Sequence, residues 1–150
     1  MAETFGEVLS RLPDLQEAAD STREVLLANL VMLGEIPAPT FDESDRIDFL
    51  LHRFGLSGLE NCSTDEAGNG FGVIPGKEGG RNIVLVGHAD TVFSRKVDHT
   101  ISVQPDRLSG PGVADNSLGM AVLATIPSLL SRLDVELKAN LILMGTAASL

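Results

Sequence analysis

The 150-residue chain contains one cysteine, no tryptophan, no tyrosine and six phenylalanines. Cys62 alone cannot close an internal disulfide, and without a cysteine cluster no structural zinc site of the thiolate type can form. A reducing compartment, the cytoplasm, is the expected setting. The thin aromatic supply leaves little surface on which bases or sugars could stack. Cations are scarce as well: 11 Lys and Arg stand against 21 Asp and Glu, a net charge of −10. Phosphate backbones are bound by clustered Lys and Arg, so a nucleic-acid partner is not expected. The opening "MAETFGEVLSRLPDL" lacks a basic stretch followed by an apolar core, so it does not read as a secretory signal. No uninterrupted apolar run of about 18 residues occurs, so no membrane partner is expected. Internal repeats and low-complexity segments are also missing.

What is present is ordinary for a globular chain: 43% apolar and 21% charged residues, in a length that fits one domain over residues 1–150. The N-terminal third reads as helical. In "DLQEAADSTREVLLANLVML", Leu26, Leu30 and Leu33 recur at helical spacing, and Val25, Leu27 and Val31 widen the stripe. Gly34, Pro37 and Pro39 break it. Thr40 and Glu43 form a capping-box pattern ahead of "FDESDRIDFLLHRF", with Ile47, Leu50, Leu51 and Phe54 as the core face and Gly55 as the C′ residue.

From residue 59 the period changes. "LENCST" and "GFGVIPG" read as short strands around the turn "DEAGNG", and "GKEGGR" as another turn. "NIVLVGH" is a continuous branched apolar run, which predicts a central strand covered on both faces. "ISVQP" predicts a short strand. "NSLGMAVLATIPSLLSRL" predicts a helix that Pro127 kinks or splits. "ANLILMGT" predicts a second buried strand. Helices followed by alternating strands and helices imply an α/β fold, a three-layer α/β/α sandwich around a mostly parallel or mixed sheet. Ligands of such sheets sit at the carboxyl ends of strands.

His88 and Asp90 fall at such an end, and residues two apart in an extended chain project to one side. Two readings fit. Asp90 could simply tie down a strand-end histidine, or it could fix the imidazole tautomer and leave the other nitrogen free for a metal. "GPGVADNSLG" is the second constellation. Gly110 and Gly112 permit a tight turn, and Asp115 follows at a helix start. Asp115 could be a helix cap. A dinucleotide fingerprint fails, because the third glycine position holds Asp115, which would repel a pyrophosphate. One histidine with one or two carboxylates suits a divalent ion, zinc first, with cobalt or manganese as alternatives. His52, in the second helix, and His99, in the polar loop "KVDHT", read as solvated or locally hydrogen-bonded.

"GHADTVF" followed by "GPGVADNSLGMAVL" resembles the co-catalytic zinc metallopeptidase and amidohydrolase family. That family includes acetylornithine deacetylase, succinyl-diaminopimelate desuccinylase, glutamate-releasing carboxypeptidases and peptidase T. The likeness extends back through "LLANLVMLGEIPAPTFDESDRIDFLLHRFGL" and "DEAGNGFGVIPG", so it runs from Val25 to Leu123. The resemblance implies the N-terminal part of the catalytic domain, without a lid or dimerisation domain. It implies that His88 and Asp115 are metal ligands, with Asp115 bridging two zinc ions. Asp90 then serves catalysis by orienting the imidazole, and the Asp115–Asn116 peptide bond is cis. The implied reaction is hydrolysis of amide bonds in small peptides or N-acyl amino acids.

The chain departs from the family after "NLILMGT". Two glutamates belong there, a general base and a metal ligand, whereas the chain has Ala147, Ala148, Ser149 and Leu150. The members' further ligands and second substrate-binding histidine lie downstream of this point. The expectation is therefore a half-site, or a non-catalytic relative that keeps the fold as a binding or interaction domain. A C-terminal buried-type strand without a covering layer also predicts self-association through an exposed sheet edge.

Overall fold

Helical spacing puts Leu30 and Leu33 on one stripe, and both are buried on the long helix that carries them. The structure, a computed structural model, describes residues 5–149. Its helices are α1 (Phe5–Ser10), α2 (Leu12–Gly34), α3 (Ser44–Leu56) and α4 (Leu118–Arg132). Its strands are β1 (Glu60–Thr64), β2 (Gly70–Ile74), β3 (Asn82–His88), β4 (Ser102–Val103), β5 (Leu108–Ser109) and β6 (Asn140–Thr146). A kinked turn, Val113–Ser117, non-helical at Asp115 and Asn116, leads into α4.

Four strands form one sheet in the order β1-β2-β6-β3; β4 and β5 pair separately. β1–β2 and β2–β6 are antiparallel, while β3 and β6 run parallel, with Gly87 opposite Gly145 and His88 opposite Thr146. The sheet is thus mixed and the class α/β, as expected. The helices that touch the sheet do so on one face. A Cβ at Gly145 would lie 2.7 Å from Leu50 Cδ2 of α3 and 2.9 Å from Met120 Cε of α4. Glycine at this point lets both helices seat against the strands. Leu33, Leu50, Phe54, Met120 and Leu143 form the fully enclosed centre of this core. α2 packs on α4, where buried Asn29 Nδ2 donates to Thr125 Oγ1 at 2.9 Å. By alternation, Val84, Val86, Ile142 and Met144 face the other way, and Val84 and Val86 are exposed. The sandwich is therefore covered on one side among the described residues. The stretch Val113–Arg132 has the length and apolarity of a membrane span, yet it is a core helix packed between α2 and the sheet.

Several sequence expectations are corrected. β3 is not central among the described residues: it ends their strand order, and Ile83 to Val86 are all exposed. A continuous apolar run says that a strand is apolar, not which neighbours it has. Pro127 does not split α4, which runs unbroken through it. The packed turns on either side hold the helix across the missing N–H. The break at Gly34 is as expected: α2 ends on it, and a Cβ there would lie 2.2 Å from Ile101 Cδ1. α3 continues through Gly55 to Leu56, and the left-handed residue beyond it is Gly58, φ 75°. Thr40 and Glu43 form no capping box; the helix begins at Ser44 without a side-chain cap, and both side chains are used elsewhere.

Candidate metal centre

Parallel pairing with β6 carries β3 to its last residue, His88, and Ala89 N–H extends the ladder to Thr146 O at 2.8 Å. The chain then meets the α2–α3 loop. Thr91 N–H donates to Ala38 O at 2.8 Å, and Pro39 bridges to Thr91. This extended run turns His88 and Asp90 to one side, as the spacing predicts. His88 Nδ1 lies 3.3 Å from Asp90 Oδ1 and 3.2 Å from Asp90 O. Both partners are acceptors, so the ring is anchored on its Nδ1 side by Asp90. Nε2 is left facing Asp115 Oδ1 at 3.0 Å.

Asp90 has no exposed surface. It accepts from Ser149 Oγ at 2.6 Å and from Thr40 Oγ1 at 3.1 Å. Burial works to raise its pKa, but the bonds from Ser149 and Thr40 outweigh it and hold the carboxyl below its ordinary value. Asp90 is thus a carboxylate fixed beneath the imidazole.

Asp115 arrives by a different route. Gly112 turns the chain at φ 64°, where a Cβ would also lie 2.9 Å from Thr91 Cγ2. The Asp115–Asn116 bond is cis, as the family resemblance implies. Asp115 does not cap α4. Asn116 Oδ1 takes that place, accepting from Gly119 N–H at 3.1 Å. The Asp115 side chain is 84% exposed and meets His88. The remaining histidines lie apart. His52 is exposed. His99 is buried and locally hydrogen-bonded, with Nε2 against Ser94 O at 3.0 Å.

Four side chains at this rim escape the sequence reading. Asn69 Oδ1 accepts from Ala147 N–H at 2.9 Å. Glu43 Oε1 accepts from Ala148 N–H at 3.0 Å and from Phe41 N–H at 2.7 Å. Thr40 binds Asp90, and its T-x-x-E spacing to Glu43 was a visible signal with another explanation. Arg46, wholly buried, donates from Nε and Nη2 to Ile36 O at 3.1 and 2.6 Å, and from Nη1 to Ala89 O at 3.0 Å. Burial pushes its pKa down to about 10 against the opposing pull of Asp90. In the sequence it is merely a polar residue in a helix.

The family resemblance implies metal ions at this rim. A nitrogen and an oxygen donor converge here, and the second imidazole nitrogen is held by a buried carboxylate, the arrangement a cation ligand needs. Among the described residues no third His, Cys, Asp or Glu joins them. Ala147, Ala148 and Ser149 bring no carboxylate, and Leu150 lies outside the described residues. The pair fits one corner of a cation site without completing it.

No family model and no curated protein matches the chain. Solved structures do. A tripeptidase of Staphylococcus aureus superposes with a TM-score of 0.70 at 22% identity, over 83% of this chain and 36% of its own. The di-peptidase Dug1p of Saccharomyces cerevisiae gives a TM-score of 0.75 at 15% identity, over 91% of this chain and 34% of its own. A Bacillus subtilis dinuclear metal binding peptidase of the M20 family gives 0.64 at 16% identity, over 86% and 36%. The chain spans about a third of the length of these proteins. It has the fold of the M20-type metallopeptidases, the family its paired motifs resemble.

Proposed function

We propose that this chain is the N-terminal part of a metal-dependent hydrolase domain acting on amide bonds of small peptides or N-acyl amino acids. One observation carries the reading. His88 Nε2 and Asp115 Oδ1, 27 residues apart in sequence, meet at 3.0 Å on the carboxyl rim of the sheet. His88 and Asp115 are the proposed metal ligands. Zinc is the favoured ion, with cobalt or manganese as alternatives. When bound, such an ion polarises an amide carbonyl and lowers the pKa of a water molecule. The chain's own part is positioning. Asp90 anchors the Nδ1 side of His88 and turns Nε2 toward Asp115, and Gly112 and Asn116 set the Asp115 turn. The metal-binding peptidases of this fold support the reading, and the free Cys62 is consistent with a cytoplasmic setting.

Ala147, Ala148 and Ser149 favour a second reading, a non-catalytic relative that keeps the fold as a binding domain. No acidic residue stands at these positions to take a proton from water. Calorimetric titration with zinc separates the outcomes. Under the first reading the wild-type chain gives heat that the His88→Ala, Asp115→Ala double variant loses; equal heats remove the metal site. If zinc binds while N-acyl amino acids and small peptides stay uncut, the second reading stands.

A further inference from the structure

A cavity of about 340 Å³ opens on the carboxyl rim, between the start of α3, the end of β1 and the residue that follows β6. Phe41, Glu43, Ile47, Asp48, Thr64 and Ala147 are among its walls. It adjoins the His88 rim, because Ala147 follows Thr146, the strand partner of His88. Three features mark it as built for a ligand. First, Glu43 lines the cavity although it is only 5% exposed. Its Oε1 accepts from Phe41 N–H and Ala148 N–H, while Oε2 accepts no hydrogen bond among the described residues. A carboxylate oxygen this enclosed calls for a donor. Second, Phe41 is 84% exposed at φ 70°, a left-handed conformation that a bulky side chain adopts only under constraint. Packing gives no reason for a phenylalanine there. Third, the charge of the wall has one sign. Among the described residues no Lys, Arg or His lines the cavity. Asp42 is already paired with Arg95, but the Asp48 side chain has no partner among the described residues.

We propose that this cavity is a subsite for an alkylammonium group, the chemistry of a lysine-type side chain. The ammonium donates to Glu43 Oε2 and is attracted by Asp48, and the carbon stem lies against Phe41, Ile47 and Ala147. An ammonium carries three donors and no acceptor, which matches a wall that offers carboxylates and the hydroxyl of Thr64. The face of Phe41 adds cation–π attraction. The assignment deepens the hydrolase reading by naming one side chain of its substrate, and it rests on that reading for the word substrate alone. The binding itself needs no metal.

The test is titration of the full ¹⁵N-labelled chain with n-pentylamine hydrochloride at neutral pH, followed by amide NMR. The amides of Phe41, Ser44, Gly68 and Ala148 should shift together and saturate. Shifts spread evenly over the acidic surface without saturation would overturn the proposal. Pentanoate has a similar stem and the opposite charge, and 1-pentanol has the stem without charge; either one binding as tightly as pentylammonium would also overturn it. Glycinamide has the ammonium without the stem. Equal affinity for glycinamide would give the cavity to a peptide amino terminus and overturn the side-chain assignment. Glu43→Gln keeps an acceptor for the Phe41 and Ala148 N–H groups but removes the charge, so affinity should fall about 10-fold. Asp48→Asn, a change at an exposed residue, should weaken binding about threefold, and it carries the test if Glu43→Gln does not fold. Phe41→Gly suits φ 70° and removes the ring, so it should fold like the wild type and bind more weakly. Unchanged affinity in the folded variants would overturn the proposal. Zinc is left out throughout. Failure to bind pentylammonium therefore removes the subsite and leaves the hydrolase reading standing, while failure to bind zinc in the calorimetric titration removes that reading and leaves the subsite.

Discussion

An unexposed carboxylate must be held by donors, and Asp90 shows which ones are used. Thr40 and Ser149 lie 50 residues upstream and 59 residues downstream of it. Each places a hydroxyl on one oxygen. Thr40→Val keeps the shape and removes one donor, so it should cost about 1–2 kcal/mol, measured by urea unfolding. An unchanged midpoint would mean that water replaces the bond at no loss. Gly119 is the second informative residue. A Cβ there would lie 2.1 Å from Asn116 Oδ1, so Gly119→Ala must expel the amide from its bond to residue 119. Crowding of this kind should cost about 1–3 kcal/mol and displace the Asp115 turn. A full-strength zinc heat in that variant would show that Asp115 is positioned by other means.

Elements are set by packing more than by their own ends. α3 has no side-chain cap, yet Ile47, Leu50 and Phe54 are buried along one face. Its stability therefore comes from that stripe seated on β2 and β6. Leu50→Ala opens a cavity between Gly145, Met120 and Ile47 and should cost about 2–5 kcal/mol by chemical denaturation. A loss much below 1 kcal/mol would mean that α3 can collapse inward. The turn of the β1–β2 hairpin is closed by backbone bonds between Asp65 and Asn69 and between Gly68 and Asp65, and by the Asp65 side chain. Asp65 Oδ1 accepts from Ala67 N–H and Asn69 N–H, both at 2.9 Å. "DEAGNG" was legible as a turn because Asp, Asn and Gly each have a local reason to be there. The T-x-x-E capping box misled because Thr40 and Glu43 found distant partners, Asp90 and Ala148, that no local pattern encodes.

At the scale of the molecule, the acidic surface is held by paired carboxylates. Asp42 is lowered by its bond to Arg95, Asp65 by its bond to Asn69, and Asp98 by its bond to Thr100. A carboxyl lowered in the folded state binds its proton more weakly than in the unfolded chain. Its contribution is complete above the unfolded value of about 3.9 and lost as pH falls through the folded value. Melting temperature should therefore be flat toward neutrality and drop below about pH 4. A melting temperature that rises on acidification would contradict these pairings. Among the described residues, β3 is a terminal strand, and its Ile83, Val84, Leu85 and Val86 are exposed. Concentrated protein should associate by light scattering, and Val86→Lys should suppress it. A monodisperse wild-type monomer would contradict this. The sequence by itself determined the α/β class, the positions of most elements and the candidate trio His88, Asp90 and Asp115, because periodicity, turn chemistry and paired motifs are local or short-range properties. Only the tertiary structure decided that β3 ends the strand order among the described residues and that Arg46, Thr40, Glu43, Asn69 and Ser149 gather beneath the rim. Those facts depend on which distant segments become neighbours, and burial gives a polar side chain its role only once such neighbours are in place.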